Sequence, residues 1–326
     1  MNNHVKTAPL AGAVCFGLTG GALAQTAWDM PTPYGDSIFH TQNIIQFADD
    51  VRTATGGELD ITVHSAGSLF GHPEIKDAVR RGLAPIGELL VSRLSNESPI
   101  YGIDSIPFLA TSYDEARALW EASRGAIAER LASEGLLLLF AVPWPPQGLY
   151  LQEEVESVSA LQGVNFRAYN TATERLAQLM GAVPTQVEAG DIPTAFSTGR
   201  VSAMITSPST GAASQAWDFV HVYVDAQAWL PKNMVIVNQA AFDALPEAVQ
   251  TAVMEAAAAA EERGWAMSVT ETEEKTALLQ ENGMTVVAPG DTLRAELQEI
   301  GATMTTEWLE TAGPEGAAII EAYRAR

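Results

Sequence analysis

A single arginine stands in a short, strand-like run of apolar and aromatic residues, from Asn165 to Tyr169. The guanidinium group of Arg167 is always charged, and its planar donors match a carboxylate with two parallel hydrogen bonds. Because the chain carries only 18 Lys and Arg against 40 Asp and Glu, this cation has two explanations. It binds the carboxylate of an acidic ligand, or it forms a structural ion pair with one of the many acids, and these residues alone favour neither.

Aromatic and neutral polar side chains could complete a cleft around such an anchor, because small-ligand sites are mostly apolar with few polar groups. Tyr169 is two residues from the arginine, Trp144 stands between two prolines, and Trp229 is two residues before Pro231. These rings could line a cleft or equally belong to a core between domains. Asn170 could donate a hydrogen bond to a ligand, or it could cap the helix that begins there.

Two hydroxyl residues, Thr206 and Ser207, end a predicted strand. Open α/β sheets bind ligands at the carboxyl ends of their strands, so both hydroxyls are candidates for ligand contact. Their alternative role is to cap the local backbone. Tyr34 follows the first predicted strand directly and could lie in the same cleft.

No catalytic or metal-binding motif is found in the sequence. Histidines 40, 64, 72 and 221 are scattered, and none has the spacing of an H-E-x-x-H zinc site. The sequence also contains no G-x-S-x-G elbow and no glycine-rich phosphate loop. We therefore expect no catalytic residue, no metal site and no cofactor, and we predict that the protein is not an enzyme.

The net charge of -22 excludes several classes of partner. Nucleic-acid binding needs clustered Lys and Arg, and docking on anionic lipid needs a basic surface, so neither partner is expected. The 326 residues are enough for two domains, and hydrophobic residues make up 47% of the chain, as in folded proteins. A strongly negative surface favours a monomer or a small oligomer, and we predict a monomer.

The first 24 residues have the pattern of an export signal that is cleaved near Ala24–Gln25. Lys6 precedes an apolar stretch at positions 8–23, which is too short and too rich in glycine for a spanning helix. The single cysteine, Cys15, lies inside this segment, so the mature chain would contain no disulfide and no thiolate site. We predict a protein of the periplasm.

The remaining chain alternates predicted strands and helices, which indicates α/β architecture with a parallel sheet. A capping box at Ser112–Glu115 opens a helix, and the apolar run at 136–142 after it is typical of a fully buried parallel strand. Further strand–helix units continue to Thr206. From Pro246 to about Asn282 the pattern is one long helix with Gly264 as its only interior breaker, and such a helix could brace two domains.

Two stiff segments could carry the chain between domains, because proline fixes the backbone without allowing a regular ladder. They are Pro143–Pro146 and Trp229–Lys232. The predicted division, with the signal peptide at 1–24, places 25–143 and 232–273 in domain I and 144–231 and 274–326 in domain II.

Five segments in this order resemble the periplasmic solute-binding subunits of TRAP transporters, the tripartite ATP-independent importers. The segment "FADDVRTATGGELDITVHSAGSLFGHPEIKDAVRRGLAPIG" is similar to the family's first helix, strand and second helix. The other four segments are "IPFL", "LQGVNFRAYN", "LMGAVPTQVEAGDIPTAFSTGRVSA" and "NQAAFDALPEAVQTAV". The resemblance covers nearly the whole mature chain.

This resemblance implies a two-domain periplasmic-binding-protein fold with a hinge and a long domain-spanning helix. It also implies that the protein captures an organic acid and delivers it to the small and large membrane permease subunits. The family's carboxylate-binding arginine falls on Arg167. Many members carry a second arginine where this chain has Gln147, an expected aspartate is replaced by Ser202, and sialate-type members place an asparagine where Thr206–Pro208 stands here.

These departures leave one cation and several neutral donors, which favours a monocarboxylate with a neutral, apolar or aromatic body. A C4-dicarboxylate is the alternative ligand, and a binding protein for an ATP-driven importer or a sensor is the alternative system. The predicted ligand-binding residues are Tyr34, Trp144, Gln147, Arg167, Tyr169, Asn170, Thr206, Ser207 and Trp229.

Overall fold

The structure, a computed structural model, describes Met1 and residues 25–326. The predicted signal peptide, apart from Met1, lies outside the described residues. Within the described part of the chain, no helix is long and apolar enough to cross a membrane.

Strands and helices alternate through the first two thirds of the described chain, and long helices follow. The strands are β1 (Thr26–Pro31), β2 (Leu59–His64), β3 (Ile86–Leu90), β4 (Leu136–Pro143), β5 (Gly148–Leu151), β6 (Asn165–Ala168), β7 (Val183–Gln186), β8 (Ala203–Thr206), β9 (Val222–Val224), β10 (Lys232–Asn238) and β11 (Thr285–Val287). The α-helices are α1 (Phe39–Ala54), α2 (Ile75–Arg80), α3 (Tyr113–Ser133), α4 (Thr171–Leu179), α5 (Ile192–Ser197), α6 (Pro208–Ala213), α7 (Gln239–Asp243), α8 (Glu247–Glu281) and α9 (Asp291–Arg324).

The first lobe contains the parallel pair β1–β2 and a three-stranded sheet in the order β3–β10–β4. The prediction that the apolar run at 136–142 is a parallel strand is wrong, because β4 pairs antiparallel with β10. The chain reaches β10 on its return from the second lobe and therefore runs opposite to β4. An unbroken apolar run reports burial of both faces, which a strand of either direction can have.

The second lobe contains a six-stranded sheet in the order β11–β9–β5–β8–β6–β7. The predicted parallel strands are present here, since β6 pairs parallel with both β7 and β8. The sheet as a whole is mixed, because β5 enters from the first lobe and pairs antiparallel with β8 and β9. Arg167 thus lies on an inner strand, near the carboxyl edge shared by β6, β7 and β8.

The two chain segments between the lobes run side by side and hydrogen-bond to each other. The amide of Trp144 donates to the carbonyl of Pro231 at 2.7 Å, and the amide of Gln147 donates to the carbonyl of Trp229 at 3.0 Å. In return, the amide of Ala228 donates to the carbonyl of Gln147 at 2.9 Å. Both segments are stiffened by proline, so the connection is a narrow, ordered hinge.

Helix α8 packs on α1 and β4 of the first lobe and on α6 of the second, as expected for a helix that spans both. Gly264 lies where α8 crosses β4: a Cβ atom there would be 2.4 Å from Cγ2 of Val142 and 2.7 Å from Nδ2 of Asn43. Glycine is therefore required for the close approach of the helix to the sheet.

Helix α9 packs on α3 of the first lobe and on α4 of the second. Its kink at Gly313, where φ is 61°, precedes Pro314. Before the kink, Nε1 of Trp308 donates to the carbonyl of Pro99 at 2.7 Å. Beyond it, the hydroxyl of Tyr323 donates to the carbonyl of Leu109 at 3.0 Å. The last part of the chain therefore lies on first-lobe elements, and the domain limits given above remain a prediction.

Candidate functional site

A cavity lies between the two lobes and beside the hinge. Its lining combines the first lobe, the hinge segments and the carboxyl edge of the second-lobe sheet. The lining residues are Tyr34, His72, Leu90, Trp144, Gln147, Arg167, Tyr169, Glu188, Ala189, Thr206, Ser207, Thr210 and Pro231.

Arg167 is the buried cation of this cavity, with only 3% of its surface exposed. Its Nε donates to the carbonyl of Val187 at 3.0 Å, and its guanidinium carbon lies 5.1 Å from the ring centre of Tyr169. Its Nη1 has no hydrogen-bond partner among the described residues. Burial lowers the pKa of Arg167 to about 10, so the side chain is charged at neutral pH. A charged, buried and unpaired donor needs an acceptor from outside the chain.

Tyr169 and Gln147 hold each other in the wall of the cavity. The hydroxyl of Tyr169 donates to Oε1 of Gln147 at 3.1 Å, and Nε2 of Gln147 donates to the carbonyl of Pro145 at 2.9 Å. Burial raises the pKa of Tyr169, so its hydroxyl stays protonated. Gln147 is itself neutral, so it supplies no charge at the position where many members of the family pattern have a second arginine.

Trp144 and Tyr34 are fixed by one amide group behind the cavity. Oδ1 of Asn233 accepts from Nε1 of Trp144 at 2.9 Å and from the hydroxyl of Tyr34 at 3.3 Å. Nδ2 of Asn233 donates to Glu88, whose carboxylate also accepts from the hydroxyl of Thr32 at 2.6 Å. Burial raises the pKa of Glu88 to about 7. The two rings are thus oriented by a buried polar network that no sequence pattern indicated.

Thr206 and Ser207 both line the cavity from the end of β8. The Oγ of Ser207 accepts from the amide of Thr210 at 3.1 Å, so this hydroxyl caps α6. The capping alternative that the sequence left open therefore applies to Ser207, which also borders the cavity.

Asn170 and Trp229 do not line the cavity. Oδ1 of Asn170 accepts from the amide of Thr173 at 2.8 Å and caps α4, while its Nδ2 donates to the hydroxyl of Ser92 at 2.8 Å. Trp229 is 1% exposed in the hinge. The structure thus brings together seven of the nine predicted site residues and leaves these two outside the lining.

Three charged or ionisable residues at the site were missed by the sequence analysis. Oε1 of Glu188 is 2.7 Å from Nη2 of Arg93, and Oε2 of Glu188 is 3.5 Å from Nδ1 of His72. The amide of Leu90 donates to Nε2 of His72 at 3.2 Å, so Nε2 is the unprotonated nitrogen and Nδ1 carries the proton toward Glu188. Burial lowers the pKa of His72, which keeps the ring neutral.

Glu188 is an anion although it is partly buried. Burial raises the pKa of Glu188, but the hydrogen bond from His72 and the charges of Arg93 and Arg167 outweigh this effect and hold the pKa below its usual value. One sequence signal could have found this residue, because Glu188 follows β7 at the same sheet edge as Thr206. His72 and Arg93 belong to the other lobe, and no local pattern pointed to them.

The charges at the site match a ligand with one negative charge. Arg167 and Glu188 are the charged residues in the lining, and the charge of Glu188 is balanced by Arg93 directly behind it. The charge of Arg167 is not balanced by an ion pair with any of the described residues. A single carboxylate would neutralise it, whereas a second carboxylate would meet no free cation among these residues.

Comparison with known proteins gives one family and several similar structures. The model of the DctP family, "Bacterial extracellular solute-binding protein, family 7", matches residues 35–311. Two structures from Bordetella pertussis, the extracytoplasmic solute receptors DctP6 and DctP7, both bind pyroglutamic acid. DctP6 is 42% identical, with a TM-score of 0.91 and coverage of 92% of this chain and 100% of that chain. DctP7 is 48% identical, with a TM-score of 0.91 and coverage of 92% and 99%.

A third structure is a TRAP solute-binding protein from a marine metagenome, specific for pyroglutamate. It is 40% identical, has a TM-score of 0.91, and covers 93% of this chain and 99% of that chain.

Proposed function

Because the chain belongs to the DctP family of bacterial extracellular solute-binding proteins, family 7, we propose that it captures a small monocarboxylic acid on Arg167. The protein is an extracytoplasmic TRAP receptor that binds an organic acid and works with the TRAP membrane subunits. Its fold is the α/β, two-domain periplasmic-binding fold of that family, as predicted from the sequence. Membership in this family favours a TRAP permease over an ATP-driven importer or a sensor.

The unpaired, buried guanidinium of Arg167 carries this proposal. Its position is fixed by the bond from Nε to the carbonyl of Val187, so Nη1 is oriented before a ligand arrives. An oriented donor binds a carboxylate without a further loss of side-chain entropy. The ligand carboxylate would accept from Nη1 in the cavity and remove the cost of the unpaired charge.

The balance of charge supports a monocarboxylate over a C4-dicarboxylate. A second carboxylate in the cavity would lie near the Glu188 anion, and Gln147 offers no compensating charge. The relatives that are 40–48% identical bind pyroglutamate, which is a compact ring with one carboxylate. We propose pyroglutamate, or an acid of the same size and charge, as the ligand of this chain.

Binding would be coupled to closure of the lobes. The cavity is lined from both lobes, so a ligand contacts both of them in the closed state and fewer groups when the lobes are apart. A ligand that binds one conformation better shifts the population toward it. The closed complex is then the form that the membrane subunits would receive.

We propose that no chemical step follows binding. The relatives are solute receptors. Apart from Arg167, which is proposed to bind the ligand carboxylate, the charged and histidine side chains of the lining have structural partners. The proton of His72 points to Glu188, and Glu188 is held by Arg93. No described nucleophile is placed beside a general base in this cavity.

A ligand screen by thermal unfolding, followed by calorimetry, tests the proposal. Pyroglutamate and other ring monocarboxylates are compared with succinate and malate. A binder stabilises the native state by mass action, by about 2.7 kcal/mol at a ligand concentration of 100 times Kd. We expect the monocarboxylates to raise Tm. Stabilisation by the dicarboxylates alone would refute the monocarboxylate assignment.

A further inference from the structure

Glu188 is an unusual lining residue for a cavity that binds an anion. Its charge would repel a ligand carboxylate, and this repulsion is strong where water is excluded. The nearby Gln147 shows that a neutral side chain can line the same cavity. A carboxylate at this position therefore indicates that the ligand presents a hydrogen-bond donor, which a carboxylate binds more strongly than a neutral side chain does.

The two carboxylate oxygens of Glu188 retain capacity for a further hydrogen bond. Oε1 accepts from Nη2 of Arg93 at 2.7 Å, and Oε2 faces Nδ1 of His72 at 3.5 Å. A carboxylate has about four acceptor positions, so these partners leave lone pairs free. About a third of the Glu188 side chain, 36%, is exposed, and the residue borders the cavity beside Arg167. Arg93 and His72 also prevent the carboxylate from turning away.

We propose that Glu188 accepts a hydrogen bond from an N–H group of the ligand and is the residue that selects for it. This inference rests on the proposed function and makes it more specific. The substrate class is then a monocarboxylic acid with an N–H donor close to its carboxyl group. Arg167 binds the carboxylate, and Glu188 accepts the hydrogen bond from the N–H group.

The donor that fits best is a neutral amide N–H and not an ammonium group. Arg93 already balances the charge of Glu188, and Arg167 lies on the same cavity. An ammonium group would add a third cation to this cluster, whereas a lactam N–H adds none. A neutral N–H still forms a strong bond to a charged acceptor.

Binding of three ring acids to the wild-type chain tests this inference by calorimetry. They are pyroglutamate, the five-membered lactone acid with oxygen in place of the N–H, and proline, in which the nitrogen is an ammonium group. The lactone is expected to bind at least about 100-fold more weakly than pyroglutamate. Its ring oxygen cannot donate a hydrogen bond to Glu188, and its lone pairs would face those of the carboxylate. Proline is expected to bind at least about tenfold more weakly, because of the added cation.

Two variants separate recognition of the N–H from a structural role of Glu188. In Glu188→Gln the amide can donate to the lactone oxygen, so the preference for pyroglutamate over the lactone should shrink at least about tenfold. In the control Arg93→Gln the acceptor remains, so affinity for both acids should fall together and their ratio should stay unchanged. Thermal unfolding of each variant checks that it is folded. If a variant does not fold, the ratio of wild-type affinities for pyroglutamate and the lactone decides the question.

Equal binding of lactam and lactone by the wild-type chain would overturn the role of Glu188 while the monocarboxylate proposal stands. Proline binding as tight as that of pyroglutamate would overturn the preference for a neutral donor. If the wild-type chain binds none of these acids but binds a dicarboxylate, the proposed function fails, and the inference fails with it.

Discussion

Nη2 of Arg93 lies 2.7 Å from Oε1 of Glu188, and this ion pair joins the two lobes at the edge of the cavity that holds Arg167. Arg93 follows β3 of the first lobe, while Glu188 follows β7 of the second. Nη1 of Arg93 also donates to the carbonyl of Tyr169 at 3.2 Å, which is a second bond across the cleft. One first-lobe side chain therefore contacts residues at the carboxyl ends of two neighbouring second-lobe strands, β6 and β7.

Replacing Arg93 with glutamine should weaken ligand binding by favouring the open form. The pair is partly exposed, so after allowance for solvent screening we expect a loss of about 1 kcal/mol, or about fivefold in Kd. Calorimetry gives the affinity, and small-angle scattering of the liganded protein reports the fraction of closed molecules. Arg80→Gln is the matched control, because Arg80 pairs with Asp77 on the surface of one lobe. Equal affinity of the two variants would contradict the interlobe role.

Replacing Arg167 with alanine should cost about 2–5 kcal/mol of ligand affinity, the usual loss for one partner of a buried charged pair. The unliganded protein should keep its Tm or gain slightly, since the substitution removes a buried cation whose Nη1 is unpaired. Arg167→Lys keeps the charge but loses the planar fork, so an intermediate affinity is expected. Calorimetry and thermal unfolding measure the two effects. Retained affinity for every acid in the alanine variant would rule out the anchor role.

Replacing Gly264 with alanine should destabilise the protein although alanine is the better helix former. The new Cβ atom would be 2.4 Å from Val142, so β4 and α8 must move apart at a cost of about 1–3 kcal/mol. Gly125→Ala in α3 is the matched control: no atom lies within 4 Å of its added Cβ, and we expect a gain of up to about 1 kcal/mol. Urea unfolding measures both changes, and two changes of the same sign would contradict the crossing geometry.

Glu88 should make stability depend on pH in the weakly acidic range. Burial raises its pKa to about 7, above its usual value of 4.5, so the folded state holds a proton that the unfolded state has released. The stability contributed by the neutral form is complete below about pH 4.5 and is lost as the pH rises through about 7. His40 opposes this change, because burial lowers its pKa below the usual 6.5 and the unfolded state then binds a proton that the folded state does not. Its contribution to stability therefore rises with pH up to about 6.5. Because a variant at Glu88 retains His40, the difference between the two proteins isolates Glu88.

The variant Glu88→Gln removes this titration and keeps one acceptor for the network around Asn233. The free energy of unfolding of the wild type should therefore fall relative to the variant between pH 5 and pH 8, by about 2–3 kcal/mol for a shift of this size. Urea unfolding at several pH values gives the difference between the two proteins. Parallel stability curves would show that Glu88 does not titrate in this interval.

Local features of the fold were predictable because they depend on residues that are close in the chain. The capping box of Ser112 and Glu115 marks the start of α3, and the pattern from Pro246 gives the long helix α8. The direction of β4 was predicted wrongly. Its apolar run reports burial, whereas its direction relative to β10 depends on a segment about 90 residues later.

Arg167 was recognisable from the chain as an isolated cation in an apolar strand, and the strand-edge rule pointed to Thr206 and Ser207, which line the cavity. The same rule applied to β7 would have reached Glu188. The ion pair of Glu188 with Arg93 and its contact with His72 arise from the way the lobes close on each other. The bond from Trp144 to Asn233 arises because the chain returns along β10 beside the end of β4. These contacts join residues roughly 90 to 120 positions apart and leave no periodic or local signal in the sequence.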